Sequence, residues 1–201
     1  MDYDVIVIGA GISGLTAAAL LAKRNLNVCV IEAQYKPGGS CGIFKRKDIV
    51  FEQGAAMIYG FNDRGFSPHR FVFNALEEPI DIIKHDELYA INFGKHRIIF
   101  HEDIDMFIEE LAKIFPNEKE NFKKFYRDLS KRYMKIIAEN PAFISPDAIK
   151  KEDGLQSLLK HPIEYIRFLG YMNKNTKSIL KKYFKDNNVF NFFDKLTSTY
   201  C

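Results

Sequence analysis

Residues 3–32 read YDVIVIGAGISGLTAAALLAKRNLNVCVIE, and this stretch decides the fold. Tyr3–Ile8 is a short run rich in β-branched residues that stops at Gly9, the pattern of a strand buried on both faces of a parallel sheet. Ser13–Arg24 carries Ala and Leu on nearly every side and ends on Lys23 and Arg24, cations suited to a helix C-terminus. Asn27–Ile31 is a second apolar strand, followed at once by Glu32. Strand, helix and strand within about 30 residues form a βαβ unit, whose crossover is expected to be right-handed. Val5 to Ala22 is free of charge over a membrane-span length. However, the glycines in its middle divide it, and Asp2 and Asp4 precede it where a signal peptide would be basic.

Gly9, Gly11 and Gly14 give G-x-G-x-x-G with Ala10, Ile12 and Ser13 between them. Glycines cluster in many turns, so the motif alone says little. Here a strand precedes it, a helix follows, and an acid closes the next strand, which is the context of a dinucleotide site. Gly9 permits the tight turn, Gly11 lets a pyrophosphate approach the backbone, and Gly14 lets helix and strand pack closely. The helix N-terminus offers unpaired N–H groups to phosphates. Glu32 stands 18 residues after Gly14, where an acid accepts ribose hydroxyls and repels a 2′-phosphate. These residues alone leave FAD and NAD both open.

Around this core the chain is ordinary for a globular protein of 201 residues, with 47% hydrophobic and 27% charged residues. Cys29, Cys41 and Cys201 have no paired spacing, which excludes a disulfide scaffold and a cysteine zinc site. His69, His85, His96, His101 and His161 are scattered, so no metal site is expected. Cys29 reads as an inert strand residue, and Ser13 lacks the elbow of a hydrolase nucleophile.

Outward from the βαβ unit, Ile43–Lys45 and Ile49–Phe51 read as a hairpin, and Pro68–Leu76 as a short helix. Three apolar runs, Ile80–Ile83, Leu88–Phe93 and Arg97–Phe100, suggest a small antiparallel sheet. Apolar spacing then turns helical from Asp103. A stripe runs from Phe122 to Ile137, and shorter helices are expected at roughly 147–159, 163–170, 176–184 and 188–196. The fold class is α/β: a Rossmann-like dinucleotide-binding segment over 1–62 and a helical, substrate-side region over 63–201.

Charge follows the same division. Residues 1–117 hold 12 Lys+Arg against 16 Asp+Glu, and residues 118–201 hold 17 against 10. The basic half reads first as a solvated helical face. A surface for anionic lipid involving Lys123, Lys124, Lys131 and Arg132 is the alternative. No nucleic-acid motif accompanies the charge, so no nucleic-acid partner is expected. The absence of a leader and a span in the quoted sequence points to a cytoplasmic protein with peripheral membrane contact.

Beyond Tyr3–Gly14 and Val30–Ala33, the chain carries Lys36-Pro37-Gly38-Gly39-Ser40-Cys41-Gly42 and Phe51-Glu52-Gln53-Gly54-Ala55-Ala56-Met57-Ile58. Together these segments resemble the phytoene desaturase family of flavoproteins, with its carotenoid isomerases and retinol saturases. The resemblance is strongest over residues 3–60. It implies FAD in an extended form, an apolar polyene or isoprenoid substrate, and desaturation, saturation or isomerisation. It also implies that Gly38, Gly39, Ser40, Gly54 and Ala55 pass the flavin side of the cofactor, beside Gly9, Gly11, Ile12, Ser13, Gly14, Glu32 and Ala33 on the nucleotide side. No catalytic side chain and no oligomeric state are assigned.

Two positions depart from relatives. Ser40 stands where amine oxidases carry Arg, and Glu52 where many relatives carry Asp. Family members are usually more than twice this length and complete the flavin site with a late glycine-rich segment. None occurs between residues 102 and 201, so an N-terminal fragment of a longer enzyme is expected. A flavin-binding fragment without turnover and an NAD-dependent Rossmann reductase are the alternatives.

Overall fold

β1 (Val5–Ile8) and β2 (Val28–Ile31) lie side by side and parallel, with Val5 opposite Val28 and Ile8 opposite Ile31. This is a computed structural model, and it describes residues 2–55, 59–61, 67–139 and 150–198. α1 (Ile12–Ala22) makes the crossover. It stops where Asn25 takes a left-handed conformation (φ 62°), which a short polar side chain tolerates better than most. The Asn27 N–H donates to Asp4 Oδ2 at 2.8 Å, tying the entry of β2 to that of β1. The parallel βαβ unit expected from the sequence is therefore present.

β3 (Ile43–Arg46) and β4 (Ile49–Glu52) form the antiparallel hairpin, turning at Lys47. α2 (Pro68–Leu76) runs over the expected residues, and Lys23 on the far end of α1 pairs with Glu77 at 3.0 Å. Because α2 packs on α1, the first compact unit extends past residue 62 to Asp81. Ile6, Ile8 and Ile31 on the parallel pair are exposed.

The second unit spans residues 82–201. β5 (Glu87–Phe93) and β6 (His96–His101) form its hairpin. Ile80–Ile83, expected as a third run, is not a strand; Ile82 and Ile83 are exposed, with no strand neighbour to cover them. α3 (Ile104–Ile114) starts at Asp103, whose carboxylate accepts the Asp105 and Met106 N–H groups at 2.8 and 3.1 Å. α4 (Lys119–Arg132) follows and passes into a π-helical turn at Tyr133–Ala138. α5 (Lys151–Lys160), α6 (Pro162–Met172), α7 (Thr176–Leu180) and α8 (Asn187–Ser198) complete the unit. The expected start of a helix at 147, and Pro141 and Pro146, lie outside the described residues.

The core of this unit is phenylalanine packed on phenylalanine. Phe107, Phe122 and Phe192 are fully buried, Phe122 lies 4.8 Å from Phe184, and Phe93 meets Phe192 edge-on at 5.8 Å. Phe122 and Phe125 of the stripe thus point inward. Of the four cations flanking that stripe, Lys123, Lys124 and Lys131 are exposed and Arg132 is not. Lys123 pairs with Glu120, Lys131 pairs with Glu164, and Arg132 is buried with its guanidinium 4.5 Å from the Tyr171 ring.

Candidate dinucleotide site

The glycine turn between β1 and α1 is built by two contacts with opposite meaning. A Cβ on Gly14 would lie 2.1 Å from the Gly9 carbonyl oxygen and 3.3 Å from Val7 Cγ1, so helix and strand touch backbone to backbone there. At Gly11 a Cβ would meet nothing within 4 Å, and its φ of −72° suits any residue. Neither the chain nor the conformation requires glycine at Gly11. Glycine there keeps an open space in front of the turn.

That space is bounded on three sides. α1 begins at Ile12 with no side-chain cap and no acid in its first turn, so the positive end of the helix stays free for an anion. Ile12 and Ser13 are exposed beside it. Glu32, half-buried at the end of β2, accepts the Ala10 N–H at 2.6 Å through Oε2 and the Gln34 N–H at 2.9 Å through Oε1. The bonds from Gln34, then from Ala10, hold its carboxyl below the usual glutamate range against a smaller opposing cost of burial. The Ala33 backbone N–H also bonds to it, and since a carboxylate offers about four acceptor positions, capacity is left for a ligand hydroxyl. Ala33 is exposed beside it.

The third side is the second glycine segment. The Gly38 N–H donates to the Ala10 carbonyl at 2.8 Å, and Gly38 and Gly11 form a parallel bridge. Gly38 requires glycine twice over: its φ is +122°, and a Cβ would lie 2.8 Å from Gly42 Cα. A tight turn over Gly39–Cys41 then carries the chain to the hairpin. There the Ala55 N–H donates to the Ser40 carbonyl at 3.0 Å, and Gln53 N–H to the Gly42 carbonyl at 2.8 Å. Gly9, Gly11, Gly14, Glu32, Gly38, Gly39, Ser40, Gly54 and Ala55 therefore belong to one connected piece of backbone. Ala56–Ile58 lie outside the described residues.

Sequence reasoning gave no role to Ala10, Gln34 and Gly42. Ala10 is buried between the glycines and supplies both the bond to Glu32 and the carbonyl that seats Gly38. The spacing of Gly42 after Gly38 was the available signal, but its close neighbour, Gln53, comes from a distant part of the chain.

Residues 7–73 match the model of a family described as an NAD(P)-binding Rossmann-like domain. The chain is 31% identical over 201 residues to prolycopene isomerase 2, chloroplastic, of an Oncidium hybrid cultivar, covering 96% of this chain and 32% of that protein. It is 30% identical over 200 residues to the Arabidopsis thaliana prolycopene isomerase, chloroplastic, with the same coverage. Against the Homo sapiens all-trans-retinol 13,14-reductase it is 32% identical over 134 residues, covering 62% of this chain and 21% of that protein. The chain thus spans about a third of the length of the prolycopene isomerases it matches. With a Rossmann-like glycine turn at its start and these relatives over its length, the chain belongs to the carotenoid isomerase, desaturase and retinol saturase family.

Proposed function

We propose that this chain forms the FAD-binding portion of an oxidoreductase acting on an extended, apolar polyene or isoprenoid substrate. The observation that carries the reading is the open space over Gly11, framed by the α1 N-terminus, Glu32 and the Gly38 segment. The pyrophosphate would face Gly11 and the first-turn N–H groups of α1, beside Ile12 and Ser13. The remaining acceptor capacity of Glu32 would take a ribose hydroxyl, with Ala33 alongside. Gly38, Gly39, Ser40, Gly54 and Ala55 would line the passage toward the flavin, where bare backbone allows close approach. FAD, when bound, supplies the hydride or electron transfer, and the chain supplies orientation. Prolycopene and retinol, named in the relatives, are both conjugated polyenes, which supports the substrate class.

One observation favours a second reading, that of a nicotinamide dinucleotide: the family model is described as NAD(P)-binding. In that case Glu32 selects NAD over NADP, because its carboxylate repels a 2′-phosphate. Titration of the purified chain with FAD, NAD and NADP, followed by flavin fluorescence and by calorimetry, separates the readings. Saturable FAD binding supports the proposal, and NAD binding without FAD binding supports the second. Anaerobic reduction of bound flavin, compared with a protein of the relatives' full length, then distinguishes a turning-over enzyme from a flavin-binding piece.

A further inference from the structure

We infer that Arg132, with Tyr171, Tyr183 and Lys182 around it, forms a binding site for a small carboxylate. The inference rests on the second unit alone and is independent of the dinucleotide reading. Arg132 ends α4 and is only 7% exposed, the one buried Lys or Arg among the described residues. Of its five N–H groups, the three on Nε and Nη1 are buried with no acceptor among those residues. Nη2 makes one contact, to Tyr183 Oη at 3.4 Å, longer than an ordinary N–H···O bond. A buried charge without a counter-charge is costly, and orphaned buried donors mark places where an ion or ligand binds.

The acids around Arg132 are turned to other groups. Asp128, one turn earlier on α4, accepts the Tyr183 hydroxyl at 3.1 Å through Oδ2. The Tyr171 and Tyr183 hydroxyls meet at 3.1 Å, and since Tyr183 gives its proton to Asp128, Tyr171 is the donor there. Glu164, the buried acid of α6, is taken by Lys131 at 3.1 Å and Arg167 at 3.8 Å. The Tyr171 ring meanwhile carries two cations, the Arg132 guanidinium at 4.5 Å and Lys182 Nζ at 4.4 Å from its centroid. Cations sharing one ring repel each other, and an anion beside them relieves that repulsion. One unpaired buried charge matches a monoanion, whereas phosphate carries more than one charge at neutral pH. The planar guanidinium with its free N–H groups fits the planar carboxylate. Tyr171 and Tyr183 are half-buried and Lys182 is exposed, so Arg132 lies one side chain below the surface and a small ligand reaches it by displacing a single ring.

Titration of the full chain with sodium acetate, against sodium chloride at equal ionic strength, tests this. The readout is the Arg132 Nε–H resonance in proton–nitrogen NMR, assigned through its bonded side-chain carbons. The expected result is a saturable shift of that resonance with acetate and none with chloride. At free acetate about tenfold above the measured Kd, the unfolding midpoint should stand about 3–6 °C above that in chloride. Arg132→Met should abolish this gain, weakening acetate binding by more than about tenfold. Arg132→Lys keeps the charge without the planar fork and should weaken binding by about tenfold with the fold intact. Should either variant fail to fold, the wild-type resonance decides alone. A resonance and a midpoint indifferent to acetate, or acetate binding retained in Arg132→Met, would overturn the inference. Inorganic phosphate binding more tightly than acetate would overturn the carboxylate class.

Discussion

The position of a Cβ on Gly14 falls 2.1 Å from the carbonyl oxygen of Gly9, a separation no packed structure accommodates. Gly14→Ala must therefore push α1 off β1, and overpacking of this kind costs about 1–3 kcal/mol. Gly11→Ala enters open space at a conformation alanine accepts, so it should leave the unliganded chain as stable or more so by about 0.4–1 kcal/mol. Its penalty belongs to the ligand: FAD affinity should fall on the order of tenfold or more, about 1.4 kcal/mol. Denaturant melts and flavin titrations on both variants check the contrast. Equal destabilisation by the two changes would remove the ligand role from Gly11.

Glu32→Gln keeps the shape of the side chain and removes its charge. The charge-assisted bonds to ribose hydroxyls are lost with it, and Glu32→Ala should weaken FAD binding by about 1.5–3 kcal/mol, with Gln falling between Ala and wild type. Calorimetric titration measures this directly.

Acidification should act on the same residue. The carboxyl of Glu32 sits below its ordinary value of 4.5 because the folded chain hydrogen-bonds its charged form. The stabilisation is present in full above the unfolded value and fades as pH falls below 4.5 through the depressed folded value. Hydrogen exchange at the Ala10 and Gln34 amides should therefore show protection at neutral pH that is lost only in this acid window, and Glu32→Gln, which keeps one acceptor oxygen, should lose it at one of the two amides at all pH values.

In the second unit, Glu118 is buried and accepts the Lys185 and Asp186 N–H groups at 3.3 Å each, as well as Asn121 Nδ2 at 2.5 Å. One carboxylate thus ties the turn before α8 to the start of α4, which closes the phenylalanine core. Glu118→Ala should destabilise this unit by about 1.5–3 kcal/mol, and Glu118→Gln by less. Thermal denaturation with and without added flavin separates this effect from that of the dinucleotide site, which belongs to the first unit.

The βαβ unit was legible because every local preference agrees: β-branched runs, a glycine turn, an Ala/Leu helix and an acid at the end of β2. The hairpins and α2 were legible for the same reason. What sequence could not show depends on partners far along the chain. Arg132 reads as one more cation on a lysine-rich helix, yet it is buried by Tyr171 and donates to Tyr183 Oη at 3.4 Å, 51 residues away. The π-helical turn at Tyr133–Ala138 lies inside a stripe whose apolar spacing looks continuous. At the site, the glycines announced themselves, but the seat of Gly38 on the Ala10 carbonyl is a contact between backbones and leaves no mark on side-chain pattern.

The most direct measurement is the nucleotide bound by the purified chain, identified by absorbance and mass after release from the protein, in wild type and in Gly11→Phe. The account predicts FAD in wild type and none in Gly11→Phe, with native circular dichroism in both. A nicotinamide dinucleotide in wild type, or FAD retained when a phenyl ring fills the space over Gly11, would contradict it.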